Sequence, residues 1–315
     1  MNKMTFLRRW RLWCTLLVTV SLMACSTAPM APASSKAAVE TPGVLPPVVR
    51  EELPAAPRRA PKLGLVLGGG AARGFAHVGV IQVLEEAGIT PALVVGTSAG
   101  SLVAAFYASG KNGAQLQRVS ETMDEAALTD WTVPLLSRGM MRGEGLARYV
   151  AAQTGGRRIE DLPLPLGIVA TDLHSGQGVL FQRGDIATAV RASSAVPAVF
   201  EPVRVAGRDY VDGGLVSPVP VRYARQMGAD LVLAVDISST PESNKANDML
   251  QVLLQTFTIM SKSINAFELK DAEVVVRPAL NGVGSAAFSE RRRSIEAGRA
   301  AMLQALPALR KALER

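Results

Sequence analysis

The chain has 315 residues, 48% of them hydrophobic and only 5% aromatic, which is enough to bury one large core; one domain of roughly 240 residues with appendages is the economical organisation. Its formal charge of +7 overstates any basic surface, because Lys3, Arg8, Arg9 and Arg11 lie in an N-terminal stretch that holds no acid and reads as removable, leaving about +3. The single basic run, Arg291-Arg292-Arg293, reads as a solvated helix face, so nucleic-acid binding gains no support.

Taken in order, the chain opens with those cations, an apolar run from Leu12 to Ala24 containing Cys14, and a small residue just before Cys25. This arrangement resembles a bacterial lipoprotein signal with its lipobox. The resemblance implies cleavage before Cys25, diacylglycerol on its thiol, and, with Ser26 next, residence at the outer membrane, most naturally on its periplasmic face. The apolar stretch is too short to span a membrane comfortably as an uncleaved anchor. With Cys14 lost and Cys25 lipidated, the mature chain could form no disulfide. Residues 25–61 are rich in Ala, Pro and Ser and hold few large apolar side chains, so they cannot form a core. They read as a tether reaching at most ~100 Å at ~3.1 Å per residue. The organisation expected is therefore a signal over 1–24, a tether over 25–61 and a folded domain over 62–315, with its motifs concentrated at about 65–225.

The domain begins with a buried strand, Lys62 to Leu67, followed by the loop Gly68-Gly69-Gly70-Ala71-Ala72-Arg73-Gly74 and a helix from about Phe75 to Ala87. Phe75, Val78, Ile81 and Leu84 fall three apart on one helix face, and Gly88 is a natural stop. A second strand, ending Val94-Val95-Gly96-Thr97, runs through Ser98-Ala99-Gly100-Ser101 into a helix toward Ala108. Two successive strand-helix units with short connections predict a parallel sheet covered on both faces. Further on come a helix near Leu146 to Gln153, a buried strand Leu166 to Asp172, and a hairpin turn through His174 to the strand Val179–Phe181. The helix Asp185 to Ala192 follows, then Val203 to Val205 and the β-like run Asp209 to Asp212. A strand at Leu231 to Asp236 and a helical run Met249 to Leu269 come next. That run carries Leu250, Leu253, Leu254, Phe257, Ile264 and Phe267 and reads as core-packing rather than as a membrane-contacting or acyl-chain-lining helix, and Val274 to Val276 form a last strand.

Gly96-Thr97-Ser98-Ala99-Gly100 in a strand-turn-helix context reads as a nucleophile elbow. Such a turn forces Ser98 into a strained conformation and draws the flanking chain close, which is why Gly96 and Gly100 are needed there. The glycine loop could in principle hold a dinucleotide pyrophosphate, but its six-position pattern is imperfect and the second strand ends in Gly96-Thr97-Ser98 instead of an acid. The same physics makes it an oxyanion hole, with the amides of Gly69 and Gly70 as donors and Gly68 supporting the turn. Arg73 either adds positive charge or braces the loop.

A serine hydroxyl needs a base within reach, and only His77 and His174 could complete the usual triad. His77 lies inside the first helix, where it reads as a satisfied structural residue, and His174 reads as exposed in the hairpin turn. Asp212 follows a strand and precedes Gly213 and Gly214, which let its carboxylate sit at a strand tip close to the elbow. Locally Asp-Gly-Gly is also a plain turn; the scarcity of histidine shifts the balance to a base. Histidine and cysteine are too few for a zinc cluster, no carboxylate run has calcium-loop spacing, and no cofactor is called for.

The three blocks together, 68–74, 96–100 and 212–214, resemble the patatin-like phospholipases, particularly the bacterial members related to neuropathy target esterase. Ala170-Thr171-Asp172-Leu173, Ala192 to Pro197 and Asn281 to Ser285 look similar too. The resemblance implies a three-layer α/β fold, a mostly parallel sheet with helices on both faces, and a Ser-Asp dyad without histidine. In it Ser98 is the nucleophile, Asp212 the base and Gly69 and Gly70 the oxyanion donors, acting on phospholipid or lysophospholipid esters through an acyl-serine. Ala71 stands where many relatives carry another glycine. A lipid-anchored binding or assembly protein that keeps a hydrolase fold without turnover is the alternative.

Overall fold

The computed structural model describes residues 59–124, 126, 130–132, 137–241, 247–284 and 286–314. The expected signal, the lipidated Cys25 and nearly all of the tether lie outside the described residues. Ten strands are described: β1 (Leu63–Leu67), β2 (Leu93–Thr97), β3 (Gly139–Met141), β4 (Leu166–Asp172), β5 (Gly178–Phe181), β6 (Ala198–Phe200), β7 (Val203–Val205), β8 (Arg208–Asp212), β9 (Leu231–Val235) and β10 (Val274–Val276). The described α-helices are α1 (Ala76–Glu86), α2 (Ala99–Ala108), α3 (Gly113–Glu121), α4 (Glu144–Thr154), α5 (Ile186–Ser193), α6 (Val221–Gln226), α7 (Met249–Glu268) and α8 (Arg291–Leu313).

The main sheet has the order β10-β9-β1-β2-β4-β8-β7, with β5 paired to β4; β3 and β6 form a separate pair. From β10 to β4 every neighbour is parallel, whereas β5, β7 and β8 are antiparallel to their partners. β1, β2, β4 and β9 are buried along their whole length, as expected of parallel strands covered on both faces. Alternation along β1 divides the core: Leu63, Leu65 and Leu67 join α1, α2 and α8 on one face, while Val66 joins Val221, Tyr223 and Ala224 of α6 on the other. The three-layer α/β arrangement expected from the sequence is thus present.

Two expectations are corrected. In α7 only Asn265 and Glu268 are buried, and Met249 and Phe267 are 89% and 72% exposed; the helix does not pack into the core. Its apolar residues spread over a broad arc of the helix, and composition alone does not say whether that arc meets the domain or solvent. The arginine run is also not uniformly solvated. Arg292 and Arg293 are exposed, but Arg291 donates to the carbonyls of Ser120, Glu121 and Met123 and lies over the Phe75 ring. Among the described residues no helix is long and apolar enough to cross a membrane.

Candidate active site

Ser98 follows the last residue of β2 and precedes the first of α2, with φ 52° and ψ −124°. A non-glycine residue held there is strained by about 1–3 kcal/mol, and the turn exists because its flanks tolerate extreme crowding. A Cβ added to Gly96 would fall 2.5 Å from the Gly100 carbonyl group, and one on Gly100 would overlap the Leu67 carbonyl of β1. The elbow expected between β2 and α2 is present, and its serine is half-buried.

Asp212 ends β8. The register sets it opposite Ala170 of β4, while Thr97 of β2 lies opposite Val169, so Ser98 and Asp212 leave strands on either side of β4. The chain after Asp212 closes that gap by running across the strand ends. Gly213 lies against the Thr97 side chain, Thr97 Oγ1 donates to the Ser217 carbonyl at 2.9 Å, and Gly69 donates to the Pro218 carbonyl at 2.9 Å. The Ser98 and Asp212 side chains are thereby brought together.

The Asp212 carboxyl is 5% exposed. Burial raises its pKa from 3.8 to about 6, against the opposing pull of the Ser98 hydroxyl and of the Gly214 amide, which donates to Oδ1 at 2.7 Å. Neither histidine ring bonds to Ser98 or Asp212 among the described residues. The buried His77 ring has Nε2 2.8 Å from the Gly68 carbonyl, Nδ1 has no partner among the described residues, and burial drives the pKa down to about 4, so the ring is neutral. His77 is thus structural but only half satisfied. His174 is exposed in the hairpin turn.

The glycine loop carries a correction. The Gly68 and Gly69 amides are both committed, to the carbonyls of Val235 and Pro218. Gly69 is therefore not a free oxyanion donor; it ties the loop to the segment after Asp212. Among the described residues the Gly70 and Ala71 amides have no acceptor. They open a 3-10 turn, Ala71–Phe75, whose first amides have no partner within the turn. Ala71, at φ 52°, adopts the left-handed backbone that a glycine would take without strain. Sequence reading missed Ala71 because it looked like a departure from a glycine pattern; the signal for it was its place at a helix start. Arg73 is a brace: it is 8% exposed and its Nε donates to the Ile237 carbonyl at 2.9 Å.

A hydroxyl on a strained turn, a buried carboxylate of raised basicity beside it and two unoccupied amides in the adjacent loop form a constellation able to carry out acyl transfer. Among the described residues no three His, Cys, Asp or Glu side chains gather where they could hold a metal ion.

A family model described as patatin-like phospholipase matches residues 65–225. An uncharacterized NTE family protein of Mycobacterium tuberculosis is 37% identical over 190 residues, covering 60% of this chain and 52% of its own length. Patatin-like phospholipase domain-containing protein 6 of Mus musculus is 36% identical over 190 residues, 58% of this chain and 14% of that protein. The chain thus spans about half the length, or less, of these curated relatives. VipD from Legionella pneumophila superposes with a TM-score of 0.54 at 16% identity, covering 79% of this chain and 67% of VipD, a likeness of fold.

Proposed function

This chain belongs to the patatin-like phospholipase family, and we propose that it is a serine hydrolase of lipid carboxylic esters, phospholipase A or lysophospholipase in type, working through Ser98 and Asp212. The observation that carries the reading is the buried Asp212 carboxylate, with its pKa at about 6, paired with the hydroxyl of a strained elbow that no imidazole reaches. Asp212 takes the proton as Ser98 Oγ attacks the ester carbonyl. The tetrahedral oxyanion is held by the Gly70 and Ala71 amides. Collapse expels the alcohol, which receives the proton from Asp212, and leaves an acyl-serine. Water, deprotonated by Asp212, then attacks that ester, and Asp212 returns the proton to Ser98 Oγ as the acyl–oxygen bond breaks and the fatty acid is freed. A lipid substrate is further supported by α7, which packs beside the 3-10 turn after Asp212 and exposes Met249, Leu253, Met260 and Phe267 along one stripe.

The test is a fluorophosphonate probe on the full chain, with products from defined phospholipids analysed in parallel. Labelling of the wild type that vanishes in Ser98→Ala, with release of fatty acid, is expected. Labelling that never appears, or persists in the variant, would favour a binding protein on a hydrolase fold. The proposal extends to carriage as a lipoprotein of the outer membrane through Cys25. Metabolic incorporation of palmitate that disappears in Cys25→Ser is the expected result, and incorporation that persists would overturn it.

A further inference from the structure

The strain at Ser98 needs something to hold it. Its amide donates to Ser193 Oγ at 2.9 Å, and that hydroxyl donates onward to the Val169 carbonyl of β4 at 2.6 Å. A serine hydroxyl has a single proton; with that proton given to Val169, a lone pair is left facing the Ser98 amide. Ser193 is fully buried at the end of α5. Two residues on, the Ala195 carbonyl accepts the Asp212 amide at 3.0 Å. One three-residue segment therefore grips the main chain of both Ser98 and Asp212.

We infer that Ser193 is a positioning residue: its hydroxyl holds Ser98 in the left-handed elbow and, together with the Ala195 carbonyl, sets the approach of the Ser98 hydroxyl to the Asp212 carboxylate. This rests on the reading of those two residues as a catalytic dyad. Without the hydroxyl, the Ser98 amide is left without an acceptor, and the elbow gains by relaxing toward ordinary φ, which moves Oγ away from its partner. The segment also accounts for an amide that the oxyanion cannot use, since Ser98 N–H is already occupied.

The test compares wild type, Ser193→Ala and Ser98→Ala as full chains, with p-nitrophenyl butyrate turnover and the rate of fluorophosphonate labelling as readouts. Ser193→Ala is expected to lower kcat and the labelling rate together by about 10- to 100-fold, the scale of a misplacement near 1 Å, with KM unchanged and the midpoint of the pH–rate profile moved upward, because the Asp212 carboxylate loses the pull of the Ser98 hydroxyl. A Ser193→Ala protein with wild-type kcat and labelling rate, whatever its melting temperature, overturns the inference and leaves the dyad reading intact. A wild type inert to the probe takes down both. Should Ser193→Ala fail to fold, hydrogen exchange in the wild type decides: the Ser98 amide is expected to be strongly protected, and exchange near the intrinsic rate overturns the inference.

Discussion

The Gly69 amide donates to the Pro218 carbonyl at 2.9 Å, so the glycine loop after β1 is stitched to the chain that has just left Asp212. The same glycine faces the elbow: a Cβ on it would lie 3.2 Å from Ser98 Cβ and 3.4 Å from the Thr97 carbonyl. Gly69→Ala is expected to keep the Pro218 bond and the fold while pressing Ser98 out of place. A fall in kcat of about 10-fold or more, with a melting temperature close to wild type, is the outcome to look for in steady-state kinetics and thermal unfolding.

Activity should rise with pH through about 6, the value to which burial raises Asp212, because only the ionised carboxylate can accept the Ser98 proton. A kcat/KM profile in the free enzyme with an acid limb near that value is expected. A limb lost in no variant of His77 or His174 would accompany it.

The same shift works against stability. A carboxyl whose pKa is 3.8 unfolded and about 6 folded binds its proton more tightly in the native state, so its ionisation costs the fold about 3 kcal/mol above pH 6 and nothing below pH 4. Asp212→Asn is therefore expected to abolish turnover and to raise stability at neutral pH by up to that amount, with the gain shrinking between pH 6 and 4. Urea unfolding at several pH values measures it.

His77 has the opposite sign. Its pKa is lowered from 6.5 to about 4 by burial, so charging it favours the unfolded chain, and about 3 kcal/mol of stability is lost as pH falls from 6.5 to 4. His77→Gln removes that acid-side loss; it also weakens the hold on the Gly68 carbonyl, so reduced stability at neutral pH is expected with a flatter acid limb.

On α7, exposed Met249 and Phe267 should be tolerant: Met249→Ser and Phe267→Ser are expected to change stability by no more than about 0.5 kcal/mol, whereas Leu233→Ala, fully buried in β9, should cost about 2–5 kcal/mol. Thermal unfolding of the three variants separates an exposed helix from a core one.

Much of this is legible in the amino-acid sequence. The apolar runs of β1, β2, β4 and β9 announce buried parallel strands, and Gly96-Thr97-Ser98-Ala99-Gly100 announces a turn that only small flanking residues permit. Asp212 emerged because two histidines are too few and badly placed for a triad. The Gly69 assignment failed for a physical reason: an amide's availability depends on whether a distant carbonyl, here Pro218, has claimed it. The run that forms α7 was misread as core-packing because apolar content does not reveal what lies opposite a helix.

What the amino-acid order determined by itself was local: strand, elbow, helix start, and the residue types that can carry a hydroxyl and a carboxylate, since these follow from short-range sterics and side-chain chemistry. Tertiary structure alone decided the rest. It seats Ser98 and Asp212 on either side of β4, buries the carboxylate so that its pKa rises, and leaves the Gly70 and Ala71 amides without an acceptor among the described residues while occupying those of Gly69 and Ser98. Those properties depend on desolvation and on hydrogen bonds between residues far apart in the chain, such as Ser98 with Ser193 and Gly69 with Pro218, which no stretch of sequence contains.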